Sequence, residues 1–110
     1  MDVRTTLVDP LPEGTAQAFF RMQVRFVDGL PARGAAIHAA TDNAQREALL
    51  HRLKGAAGSF GFVALSAAAH RAEEAASGAD PVALGAALRD ISTEIEALTR
   101  GDAASNLPSP

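Results

Sequence analysis

Apolar positions along this chain recur at intervals of three and four, the period of a helix buried along one face. Phe19, Met22, Phe26 and Leu30 keep that spacing, and it continues to Ile37. Thr15 supplies a hydroxyl suited to capping the first turn. Asp28-Gly29-Leu30-Pro31 interrupts the run, because Pro31 has no amide to donate and crowds the preceding turn. The pattern therefore predicts a first helix over 15–40 that is kinked, or split into two nearly collinear pieces.

Thr41-Asp42-Asn43 reads as a turn and cap, with Gln45 three residues after Asp42 as in a capping box. A second helix over 43–59 follows, and Gly58 and Gly61 bracket its end. The third runs over 62–77 with Phe62, Leu65, Ala68, Ala69, Ala72 and Ala76 on its buried side, and Ser77-Gly78 closes it. Asp80-Pro81 opens the last helix with a cap followed by proline at the first helical position. Leu84, Leu88, Ile91, Ile95 and Leu98 then form a bundle seam, and Gly101 stops it. Short turns between amphipathic helices predict an all-α, antiparallel four-helix bundle with a kinked first helix over 15–101. An extended lead-in over 1–14 and a disordered tail over 102–110 are expected to flank it.

Composition sharpens this picture. Alanine fills about a quarter of the 110 residues while Trp and Tyr are absent, which favours closely packed helices over sheets. The absence of Cys excludes disulfides, thiolate metal sites and thiol catalysis. A net charge of −3, with no basic run or aromatic platform, argues against a nucleic-acid partner. No signal-peptide pattern and no apolar run of roughly 20 residues is present, so a cytoplasmic monomer away from membranes is expected.

The chemistry concentrates in His51-Arg52-Leu53-Lys54-Gly55-Ala56-Ala57-Gly58-Ser59-Phe60-Gly61. On a helical wheel Lys54, Gly55 and Gly58 fall within about 60° of His51, while Leu49, Leu53, Ala56 and Phe60 lie on the opposite side. The imidazole thus faces outward, with a cation three residues on and a bare backbone one turn on. A neutral imidazole is nucleophilic near pH 7 and accepts a phosphoryl group as a phosphoramidate. Lys54 suits the charge of that adduct, and Gly55 opens the approach at a helix-propensity cost of about 1 kcal/mol. Lys at +3 with Gly at +4 follows by chance roughly one histidine in a few hundred, which sets aside a merely solvated His51. On the third helix His70 and Glu73 share a flank, and an antiparallel hairpin would bring Glu73 to the ring to select its tautomer. His38 has no partner at metal-ligand spacing and reads as a surface residue; Phe19, Phe20, Phe26 and Phe62 read as core or core edge, with the alternative that one or two rim a docking patch.

The pattern His51-x-x-Lys54-Gly55-x-Ala57-x-x-Phe60-Gly61 resembles the signature of histidine-containing phosphotransfer (HPt) domains of two-component signalling. Lys54 to Phe62 looks especially like the phosphotransfer domain of chemotaxis histidine kinases, and His70 and Glu73 fall where that subgroup has residues beside the phosphoacceptor. The resemblance spans roughly 15–100, with about a dozen specific positions around His51. It implies reversible phosphorylation of His51 and docking to aspartate-bearing receiver domains of response regulators. It implies no cofactor on this chain, Mg²⁺ belonging to the receiver. These 110 residues contain no kinase, dimerisation or ATP-binding region, so a phosphoryl carrier rather than an enzyme is expected, charged by a histidine kinase in trans. Two alternatives are an isolated phosphotransfer domain of a chemotaxis kinase and a helical adaptor that takes no phosphate. The exposed side of the second helix, with the edges of the first and third, is the expected docking face.

Overall fold

A computed structural model describes residues 13–101 as five helical segments: α1 (Glu13–Asp28), α2 (Leu30–Ala39), α3 (Asn43–Ser59), α4 (Val63–Ser77) and α5 (Pro81–Thr99). No strand occurs among the described residues. α1 and α2 form one helix kinked at Gly29, whose amide still bonds to the carbonyls of Arg25 (3.1 Å) and Phe26 (3.2 Å), while Arg33 N–H returns to Gly29 O (3.2 Å). Pro31 removes one donor from the ladder, and the axis bends without the helix ending. With this long helix counted as one, the fold is the antiparallel four-helix bundle expected. Most of the predicted lead-in and the whole predicted tail lie outside the described residues. The first helix is described from Glu13, so Thr15, the predicted cap, lies inside the helix and does not cap it.

The helix ends obey local chemistry. Asp42 accepts from Gln45 N–H (2.7 Å) and Asp80 from Ala83 N–H (3.1 Å). Gln45 Oε1 accepts from Thr41 N–H (3.4 Å), one residue beyond the capping-box partner Asp42. α3 closes in a Schellman motif, with Phe62 N–H on Ala57 O (2.8 Å), Gly61 N–H on Gly58 O (3.2 Å), and Gly61 left-handed at φ +86. α4 closes the same way through Asp80 N–H on Ala75 O (2.9 Å), but here the left-handed position is Ala79 (φ +52), one residue past the predicted Gly78. Arg46 of α3 donates to the carbonyls of Ile37 (3.1 Å), His38 (3.4 Å) and Ala40 (2.7 Å), satisfying the exposed end of α2.

The core is built from Leu30 and Ile37 of α2, Leu50 and Leu53 of α3, Leu65 of α4 and Ile91 of α5, all fully buried. α4 packs against both α3 and α5 and presents Ala68, Ala69 and Ala72 to them without any solvent exposure. Small side chains there let helix axes approach closely. Two expectations for the first helix need correction. Met22 is 52 % exposed, and Phe19 and Phe20 are also exposed, because α1 runs past the α3–α4 turn with little to pack against. The buried position is Gln23, whose amide donates to Phe60 O (2.8 Å), a carbonyl left free by the end of α3. Phe60 packs against Phe19 and Phe26, with ring centroids 5.8 and 5.2 Å apart, and fastens α1 to the same turn. His38 is exposed as expected, within 3.2 Å of Ser92 Oγ on α5.

Candidate functional site

α3 and α4 form the antiparallel hairpin that the sequence required. Gly58 and Ser66 mark how close it is: a Cβ on Gly58 would sit 3.4 Å from Ser66 Oγ. Ser66 donates that hydroxyl to Lys54 O (3.0 Å), clamping the site's turn of α3 to α4. A side chain at Gly58 would make ordinary contact with Ser66, so it is this hydroxyl bond that ties the two helices together here.

This register sets Glu73 of α4 beside two residues of α3. Its Oε2 lies 3.0 Å from His51 Nδ1, and its Oε1 lies 2.8 Å from Lys54 Nζ. Oε1 is shut off from solvent and meets Lys54 as an ion pair, without a well-aligned hydrogen bond. The Lys54 ammonium, aided by the His51 ring and opposed by partial burial, holds the Glu73 carboxyl below its ordinary pKa. Glu73 is thus ionised at neutral pH and accepts only, so Nδ1 of His51 must carry the proton it donates. In the neutral ring the lone pair is then on Nε2, and the side chain is 69 % exposed.

Gly55 has open space where a Cβ would stand, with no atom within 4 Å, so nothing in the packing accounts for glycine there. His70 does not join the cluster. Its Nε2 pairs with Glu74 Oε1 one turn on (2.9 Å), where the i,i+4 spacing makes a partner readily available. Sequence reasoning passed over Ser66, which leaves no mark beyond a polar residue near an apolar stripe. It also passed over Gln23, whose signal was a polar residue between Phe19 and Phe26 on the buried face. No group of three or more His, Cys, Asp or Glu suited to a metal exists among the described residues, and none of their helices is long and apolar enough to cross a membrane.

The family model of the Hpt domain matches residues 21–101, and the chain belongs to that family, whose members carry phosphoryl groups on histidine in two-component signalling and interact with receiver domains and histidine kinases. Neither the curated proteins nor the solved structures contain a match to it.

Proposed function

We propose that His51 is the phosphoacceptor, taking a phosphoryl group from a receiver domain's phosphoaspartate or from a kinase in trans and passing it to another receiver. The observation that carries this reading is the Glu73–His51 contact, which leaves Nε2 unprotonated on the exposed side of the ring. Its lone pair attacks phosphorus, the bond from phosphorus to the aspartyl oxygen breaks, and the electron pair returns to the donor carboxylate. The ring becomes a phosphoimidazolium, with its proton still on Nδ1 against the Glu73 carboxylate, which stabilises the new positive charge. Lys54 balances Glu73 at rest and is within the same cluster when the phosphoryl charge arrives. Gly55 keeps the approach clear. His70, tied to Glu74, is left with no direct role in this step. The receiver supplies its own Mg²⁺ and the in-line geometry.

A second reading, service to a chemotaxis-type kinase core, draws support from the same Glu73 contact, on the flank where that subgroup carries its glutamate. One experiment serves both. The purified protein is incubated with phosphorylated receiver domains and, separately, with kinase cores and ATP, and intact mass is followed for wild type and His51→Gln. An acid-labile phosphate on wild type alone is the expected result, and the competent donor separates the two readings. Because His51 is exposed, His51→Gln should keep its helical circular dichroism. A panel of donors that leaves wild type unlabelled would reject the carrier in favour of an adaptor.

A further inference from the structure

Charge is divided between the two halves of the bundle, and the division runs along the His51 surface. α1, α2 and α3 hold six Arg or Lys against three Asp or Glu, whereas α4 and α5 hold two against five. A chain with a net charge of −3 therefore presents a positive half. Within it a groove of about 370 Å³ lies between α2 and α3, lined by Ala32, Arg33, Ala36, Ile37, Leu49 and Arg52. Arg33 and Arg52 are exposed at its edges, and neither forms an ion pair with a carboxylate among the described residues. The Arg33 guanidinium lies 5.3 Å from the centroid of the Phe26 ring, which holds it in place. Arg52 follows His51 directly, about 100° around α3. Gly55 and Ala48 lie between these two directions on the wheel, so no bulky side chain separates the groove from the phosphoacceptor.

The other flank differs. There Glu73 is already held by Lys54, and Glu74 by His70. An acidic partner meets the Glu73 and Glu74 carboxylates on the α4 side and, on the α2 side, two guanidiniums without a carboxylate partner among the described residues. Resting on the phosphoacceptor reading above, we propose that the groove between α2 and α3 is the docking site for an acidic segment of a receiver domain. The receiver thus approaches His51 asymmetrically, from the α2 side. Its carboxylates engage Arg33 and Arg52, and an aliphatic side chain between them fills the apolar floor of Ala36, Ile37 and Leu49. A second copy of this chain, offering its own acidic half, is the rival occupant.

The test separates docking from chemistry. Phosphoramidate, a small donor that needs no docking face, labels wild type, R33E/R52E, R33K/R52K and Glu74→Lys. Each labelled protein is then mixed with a panel of purified receiver domains and Mg²⁺. Labelling should be equal in all four. Transfer to the receivers that wild type serves should fall at least tenfold in kcat/KM for R33E/R52E, with a flatter dependence on salt between 50 and 300 mM. R33K/R52K should retain most of the rate, and Glu74→Lys should lose none. Equal transfer by wild type and R33E/R52E overturns the docking site, as does a panel in which no receiver engages wild type. A wild-type dimer in sedimentation that R33E/R52E dissolves assigns the groove to a second copy and overturns it too. Wild type that phosphoramidate leaves unlabelled rejects the carrier reading alone; receiver titrations of the same variants then decide docking.

Discussion

Glu73 serves two partners at once, and its ionisation decides what the imidazole can do. Its carboxyl is held below the ordinary value chiefly by the Lys54 ammonium. A depressed folded-state pKa contributes stability above the unfolded pKa, and that contribution is lost as pH falls through the folded value. The stability difference between wild type and Glu73→Gln should accordingly be full at pH 7 and shrink in thermal melts carried toward pH 3. Glu73→Gln also removes a charge-assisted bond worth about 1.5–3 kcal/mol. Gln still offers an oxygen to Nδ1 but not the negative charge that stabilises the phosphoimidazolium, so phosphoramidate labelling of His51 should slow measurably in Glu73→Gln while its fold is kept.

At the scale of the helix, two residues run against local preference and respond to opposite substitutions. Gly55 lies within α3 with empty space around its missing side chain. Gly55→Ala should stabilise the bundle by about 0.4–1 kcal/mol. At about 4–8 °C per kcal/mol for a domain of this size, that is a rise in Tm of a few degrees. The added methyl stands beside His51, so transfer from a receiver should slow while labelling by phosphoramidate stays the same; faster transfer by the variant would remove the access role. Ala79 holds the left-handed position that closes α4, a conformation costing an L-residue about 1–2 kcal/mol. Ala79→Gly should raise the midpoint of urea unfolding, offset in part by the greater freedom of glycine in the unfolded chain. Its phosphotransfer should not change, because Ala79 follows the end of α4 and takes no part in the contacts among His51, Lys54 and Glu73.

The described residues share one buried core, from which α1 extends. Leu50 is fully buried on α3 one residue before His51, so Leu50→Ala should cost about 2–5 kcal/mol in chemical denaturation and lower activity only through the folded fraction. Truncating exposed Val82 should be nearly silent in the same assay. Helix number, order and most boundaries were legible in the sequence, because three- and four-residue spacing, Asp42 and Asp80 caps and glycine stops are local signals acting within one or two turns. The outward stripe of His51, Lys54 and Gly55 was legible for the same reason: a helix of known phase defines its own faces. Other features required the helices to meet. Met22 and Phe19 have core spacing, yet they are exposed because α1 outruns its neighbours, a matter of relative helix length that no periodicity carries. His70 and Glu73 were equal candidates from spacing alone. Only the register of α4 on α3, held by the Ser66 bond to Lys54 O and the buried alanine face, brought Glu73 to Nδ1 of His51 and left His70 to Glu74. The sequence by itself determined the elements and the nucleophile, whose causes are short-range. Tertiary packing alone decided the tautomer of the ring, the ion pair beside it and the positive groove on its flank, since each depends on atoms from separate helices meeting within a few ångströms.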